Sequence, residues 1–429
     1  MEICEGLGTD AEEVSRLETG GRILDTEGVP LGIYISVPFC KTKCSYCNFA
    51  SGVFSKQVFK RYVDRVIEDV SLSSETAGKM GAEVDRGIDS IYLGGGTPTL
   101  LESAELERLF AAVRDQFAVE PSAEVTVECA PGTLLPEVID TLLRCGVNRV
   151  SLGVQSFIDK EASSVARLHT RATTLEEISR LRSAGIDNIS IDLISGLPHQ
   201  TKDSWDDSLS QLIDTGVAHA SVYMLEVDED SRLGRELIAG GTKYHAHFVP
   251  DEDLTAELYE RACERLHIAG IEQYEISNFA RPGNESAHNL KYWTRQPYLG
   301  FGVDAHSMLP APPAPVEEER LESIRFATID NLEQYVSGAP LTRSLVTEDQ
   351  AIEEAFFLGL RLTRGVDLLE LAERYGTAVT VAFRDEFADL ALAGLVEIED
   401  GRLRLTSRGR LLSNEVFSRL ISPTSATKA

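Results

Sequence analysis

Between residues 32 and 225, short apolar runs alternate with stretches in which apolar positions recur every three or four residues. The first run, 32–37, is stopped by Pro38 and predicts a β-strand. A long helix follows from about residue 55, where Val58, Phe59, Tyr62, Val63, Val66, Ile67 and Val70 fall on one face. Further strands are predicted over 89–93, 124–128, 149–154, 189–194 and 220–225. Between them lie a helix capped by Ser103, with Leu106, Leu109, Phe110 and Val113 as its core stripe, and another opened by Pro136 and closed by Gly146. Two more helices cover about 175–184 and 204–213. Strand alternating with helix predicts a parallel sheet with right-handed crossovers. Six such units are too few to close an eight-stranded barrel, so the expected fold is α/β, an open partial (β/α)6 TIM-like barrel.

The pattern changes beyond about residue 233. Residues 240–250 read as loop and 253–269 as a helix. A Gly-rich stretch, 298–307, is expected to pack close to the barrel, and the Pro- and Ala-rich 309–315 reads as a loop or linker. From about 348 the chain reads as helical, then ends in Leu395–Leu405, where Asp400-Gly401 between alternating apolar residues signals a hairpin. Helices followed by a small hairpin predict a winged-helix-like α+β domain. The expected division is an N-terminal extension over 1–30, the partial barrel over 31–235, an extension over 236–345 and the C-terminal domain over 346–429.

In a barrel of this kind functional groups belong at the C-terminal ends of the strands. Cys40, Cys44 and Cys47 follow the first strand with the spacing Cys-x3-Cys-x2-Cys, so three of the seven cysteines sit on one short loop. A [4Fe–4S] cluster takes four thiolates, and three would leave one iron open to a substrate or cofactor. A zinc site asks for a fourth Cys or His at short spacing, and the nearest histidine is His169. Gly95, Gly96 and Thr97 follow the second strand, Glu128 ends the third, Gln155 follows the fourth, and Asp192 lies near the end of the fifth.

Composition narrows the setting. The chain has 429 residues, 43% of them hydrophobic, enough for a sizeable core, and a net charge of −28, which argues against nucleic-acid or anionic-membrane binding. An odd number of cysteines, three of them clustered, does not look like a secreted disulfide framework. Residues 1–30 lack the pattern of a signal peptide, and no apolar run is long enough to span a bilayer. A reducing cytoplasm is the expected compartment.

The cysteine loop resembles that of radical S-adenosylmethionine (SAM) proteins. Over residues 34–307 the chain resembles their coproporphyrinogen-oxidase-like branch. The resembling motifs are Tyr-x-x-x-Pro-Phe-Cys at 34–40, Gly-Gly-Gly-Thr-Pro at 94–98, Glu-Cys-Ala-Pro-Gly at 128–132, Ser-Leu-Gly-Val-Gln-Ser-Phe at 151–157, Arg-Leu-His-Thr at 167–170, and Asp-Leu-Ile-Ser-Gly-Leu-Pro-His-Gln-Thr at 192–201. The resemblance implies a [4Fe–4S] cluster on Cys40, Cys44 and Cys47, and SAM beside it. Tyr46 is then expected on the adenine, Gly95, Gly96 and Thr97 near the methionine part, and Glu128 as a hydrogen-bond acceptor. Gln155, Arg167 and Asp192 match positions that contact a second SAM in the oxidase. Tyr34, at the head of the first motif, is grouped with these cofactor-binding residues.

Two subfamilies compete. The oxygen-independent coproporphyrinogen III oxidases carry a fourth cysteine where this chain has Phe49. His288-Asn289-x-x-Tyr292-Trp293 resembles instead the heme-chaperone subfamily. That resemblance implies heme as cargo, His288 as an axial ligand on a partly exposed segment (His306 being a second candidate), a respiratory membrane protein as recipient, and an electron donor. It makes oxidative decarboxylation the alternative function and assigns no residue a catalytic role.

Overall fold

The computed structural model describes residues 28–313 and 320–421. Most of the expected N-terminal extension, the middle of the Pro-rich stretch and the last eight residues lie outside the described residues.

Six parallel strands form the centre of the molecule: β1 (Leu31–Val37), β2 (Gly87–Gly95), β3 (Ala118–Cys129), β4 (Arg149–Gln155), β5 (Asn188–Ser195) and β6 (His219–Met224). They pair in chain order, and helices cover their outer face, as the alternation predicts. Helix Lys56–Ser71 turns Phe59, Tyr62, Val63, Val66 and Val70 into the core, the stripe read from the sequence. Its neighbour Ser103–Gln116 is capped differently from expectation. Glu102 is the N-cap, in a reciprocal capping box with Glu105, and Ser103 is already the first helical residue.

The sheet does not stop at six strands. It is extended beyond β6 by β7 (Glu272–Gln273) and β8 (Asn278–Ala280), and on the other flank by β9 (Tyr298–Phe301), β10 (His306–Pro310), β11 (Leu321–Ala327) and β12 (Thr342–Thr347). β9 runs parallel to β1, so the strand that leads into the cysteines is paired on both sides. The expected boundaries at 235/236 and 345/346 both fall inside elements, helix Arg232–Ala239 and strand β12. Residues 236–345 therefore continue the same sheet, and Leu309 and Pro310 belong to β10 and not to a linker.

A second apolar cluster gathers Phe356, Leu371, Phe387, Leu390, Leu403 and Val416 in the C-terminal part. Its separate three-stranded sheet contains β13 (Val366–Asp367), β14 (Val396–Glu399) and β15 (Arg402–Leu405). Asp400 and Gly401, at φ 51° and 76°, make the tight turn that the Asp-Gly pair signals.

Candidate functional site

The strand that reads Leu31–Val37 ends at a mouth whose walls come from all six barrel strands. Phe39 anchors the cysteine loop, its ring stacked on Phe59 with centroids 3.8 Å apart. The Tyr62 hydroxyl donates to the Ser36 carbonyl at 2.7 Å and accepts from the Val303 amide at 2.9 Å, tying this strand end to the chain after β9. The Cys40 amide donates to the Gly52 carbonyl at 2.8 Å, and the Lys43 ammonium donates to the carbonyls of Phe49 and Ser51 at 2.6 and 2.8 Å. The loop is thus closed by its own backbone before any ligand is considered.

Cys40, Cys44 and Cys47 face a cavity of about 1040 Å³. Tyr46, Gly95, Gly96, Thr97, Glu128, Gln155, Arg167 and Asp192 line the same cavity. The Arg167 guanidinium lies 3.6 Å from the Cys44 sulfur and donates to the Gly153 carbonyl. Burial pushes the Cys40 thiol up. Among the described residues no three Cys, His, Asp or Glu side chains converge on one ion position. A cuboidal cluster asks for less convergence, because each thiolate binds a different iron.

The glycines have a reason of their own. A Cβ on Gly96 would stand 2.6 Å from the Val37 carbonyl and 2.7 Å from that of Phe39. The Gly96 and Thr97 amides donate to those two carbonyls, each at 2.8 Å. Gly95, at φ 96°, is in the left-handed region and donates its amide to Glu128 at 3.0 Å. The Gly-Gly-Gly-Thr loop therefore docks on the cysteine loop as well as bordering the cavity.

Glu128 also accepts from the Tyr92 hydroxyl at 2.8 Å. Burial pushes its carboxyl up to about 7; the Tyr92 hydrogen bond opposes the shift and the Asp192 charge adds to it. Asp192 is gripped by three serines, Ser221 at 2.8 Å and Ser151 at 3.1 Å from the adjacent strands and Ser190 at 3.4 Å from its own. Burial raises its pKa, and the serines counter that. Gln155 sits at φ 68° beyond a register shift between β4 and β5, a bulge of the kind that re-aims a side chain beside a site. The sequence signal for these supporting groups is polar residues two apart on one strand: Ser90 and Tyr92, Ser190 and Asp192, Ser221 and Tyr223.

Two expected site residues are elsewhere. Tyr34 does not line the main cavity; it borders a smaller one of about 230 Å³ with Ser36, Gly95, Glu128 and Asp304. His288 lies at the other end of the barrel and is 1% exposed. Its Nδ1 is 3.0 Å from the Ser90 hydroxyl and its Nε2 is 2.9 Å from the Tyr292 hydroxyl. Burial pulls its pKa down to about 3, with Lys291 and Arg149 adding to the effect. The segment is partly exposed, as expected, but His288 itself is buried and both its ring nitrogens are already in use, so His288 is not poised to ligate iron.

Helix Ala287–Trp293 instead closes the floor. Its first amides, from Ala287 and His288, donate to Glu124 at 3.1 and 3.2 Å, a carboxylate at a helix N-terminus. Lys291, 2% exposed as a side chain, pairs with Asp89 at 2.8 Å and donates to the Pro30 carbonyl at 2.7 Å. Trp293 lies under the Arg361 guanidinium, 4.2 Å from its ring centre. His306, the other candidate ligand, is 67% exposed as a side chain and 4.0 Å from Asp304.

A thiol-bearing loop at the mouth of a six-unit parallel barrel defines the radical SAM class. Residues 34–212 match the Radical SAM superfamily model and 346–412 the HemN C-terminal domain model. The heme chaperone HemW of Bacillus subtilis is 34% identical over 90% of this chain and 97% of its own length. The protein of the same name from Lactococcus lactis is 31% identical over 91% of this chain and 97% of its own. Among solved structures, coproporphyrinogen III oxidase (HemN) from Escherichia coli superposes with a TM-score of 0.75 at 24% identity, over 91% of this chain and 90% of that one, a likeness of fold. The chain belongs to the HemW family of radical SAM proteins. Membership of that superfamily implies a [4Fe–4S] cluster and SAM. No helix among the described residues is long and apolar enough to cross a membrane.

Proposed function

We propose that this protein is a heme chaperone: it binds heme and hands it to a respiratory membrane protein, and it works in the cytoplasm. The observation that carries the reading is the match to curated heme chaperones over nine-tenths of this chain and nearly all of theirs. Phe49 supports it. This residue is 60% exposed at the rim of the main cavity, where the oxidase motif has its extra cysteine.

Cys40, Cys44 and Cys47 hold the cluster, with SAM in the cavity before them. The fit rests on three thiols facing one void, with a guanidinium beside Cys44. When bound, the cluster supplies an open iron and one electron for SAM cleavage. The chain's part is to hold and to screen. Arg167 offsets thiolate charge, Glu128 and Asp192 offer acceptors, and Tyr46 presents a ring to the cavity from between two cysteines. An electron donor would reach the cluster through the same mouth.

Titration of the cluster-loaded protein with hemin should give a defined Soret band. Anaerobic incubation with coproporphyrinogen III and SAM should leave the porphyrinogen unchanged. Sustained formation of protoporphyrinogen IX would replace this reading with the oxidase.

A further inference from the structure

Of the eight histidines, five have a polar partner. His169 reaches the Val154 carbonyl, His219 reaches Ser190 and Tyr274, His267 pairs with Glu272, His288 is held as described, and His306 faces Asp304. The other three, His199, His245 and His247, make no side-chain hydrogen bond or ion pair among the described residues. These three come together. The rings of His199 and His245 are 5.3 Å apart between centroids. His199 and His247 approach the same phenyl ring, that of Phe248, at 3.9 and 4.0 Å.

The backbone beneath them is fixed even though the rings are not. His199 lies on the loop after β5, at φ 71°, and its amide donates to the Phe248 carbonyl at 3.0 Å. His245 is also in the left-handed region, at φ 62°. Glu236, on helix Arg232–Ala239, accepts from the Tyr244 and Ala246 amides at 2.8 and 3.2 Å and so holds the turn that carries His245 and His247. Two non-glycine residues in a conformation that disfavours side chains, with imidazoles that make no side-chain hydrogen bond, is a local cost that the fold maintains.

The surroundings are apolar and exposed. Phe248 is 46% exposed, and the adjoining helix shows Leu237 and Ile238 at 53% and 68%. Lys160 stands close enough to bias the charge of His199, and Lys243 lies over the Tyr244 ring at 5.0 Å. Burial lowers the pKa of His199, with Lys160, His245 and His247 adding to the effect, which keeps it neutral and able to donate a lone pair. A lone metal ion would need three ligands on one point, and these side chains do not converge in that way. A metalloporphyrin needs one or two imidazoles, a flat apolar wall and cations for its carboxylates.

We infer that His199, His245, His247 and Phe248 form the docking site for heme, with one of the imidazoles on the iron and Phe248 against the macrocycle. This rests on the heme-chaperone reading and gives it a place. The site is on the same rim as the cluster loop, since His199 follows β5 at its C-terminal end, but none of its imidazoles borders the main cavity. An exposed site held by one or two ligands suits a cargo that must leave.

The test is hemin titration of the cluster-loaded full-length protein, followed by Soret absorbance, with metal-free protoporphyrin IX in parallel. The triple variant His199→Ala, His245→Ala, His247→Ala should lose hemin affinity by at least about tenfold, the lower end of what loss of even a supporting group costs a metal site. Its Soret band should move to that of unligated heme, and its affinity for the metal-free porphyrin should hardly change. Phe248→Ala should weaken both porphyrins. Far-UV circular dichroism and iron content report whether each variant is folded. Wild-type affinity and spectrum in the folded triple variant would overturn the site and leave the chaperone reading standing. A wild-type protein that binds no hemin would overturn both.

Discussion

The two ends of the barrel are built from the same strands and both are polar, yet they are organised in opposite ways. At the floor, Ser90, Glu124, His288 and Tyr292 bond to one another or to the backbone of helix Ala287–Trp293, and Lys291 pairs with Asp89. At the mouth, the cysteines, Arg167, Glu128 and Asp192 stand around a void of about 1040 Å³. Buried polarity by itself therefore marks no ligand site. The difference is whether the polar groups face each other or face space.

The largest expected effect is at the mouth. Replacing Cys40, Cys44 and Cys47 together with Ala should reduce iron from about four per chain to near none after anaerobic reconstitution. The unfolding midpoint of the apo-protein should stay close to wild type, because the backbone and Lys43 hydrogen bonds that close the loop do not use the thiols, whose own contacts with Ser51 and Arg167 are long, at 3.9 and 3.6 Å. Iron retained in that variant would erase the contrast. At the floor the order should reverse. Lys291→Met leaves Asp89 without its partner and should cost about 3 kcal/mol in denaturant unfolding, with iron content preserved. Unchanged stability would mean that the floor network holds nothing.

A subtler difference is in pH. The folded-state pKa of Glu128 is about 7, above the ordinary 4.5, so the folded state holds the extra proton between those values. Its contribution to stability is present at low pH and is lost as pH rises through 7. Relative to wild type, Glu128→Gln should gain stability from pH 4.5 to 7, by up to about 3 kcal/mol at the upper end. A flat difference across that range, measured on apo-protein, would show that Glu128 is not desolvated. The smallest effect expected on heme is that of His288→Phe. It should remove two hydrogen bonds and cost about 1–3 kcal/mol of stability, yet leave the Soret band and the hemin affinity as they were.

The six strands, their order and the cysteine-bearing mouth were legible because apolar runs and helical stripes are local signals. Eleven of the proposed site residues, the three cysteines among them, line one cavity for the same reason: each lies at or near a strand's C-terminal end. What was not legible depends on long-range pairing. Nothing local in Tyr298–Phe301 says that it will lie beside β1, or that β10 to β12 will continue the sheet. His288 was misplaced because a His-x-x-x-Tyr spacing shows a shared helix face and not what that face meets. Here it meets Ser90 and the inside of the barrel. The gathering of His199 with His245 and His247 across 46 residues was equally out of reach, since it depends on one loop-to-loop hydrogen bond.

The pairing of β1 with β9 also sets an order of events during synthesis. β1 ends at Val37, and its second neighbour does not begin until Tyr298. Until that segment has left the ribosome, the strand leading into the cysteines has a bare edge, with unpaired amides and carbonyls open to any other extended chain. The Val303 amide that completes the Tyr62 bridge arrives later still. A nascent chain is thus most exposed to misassembly at the very strand that must later present its thiols, and loading of iron is best left until translation has passed the Gly-rich turn after β9.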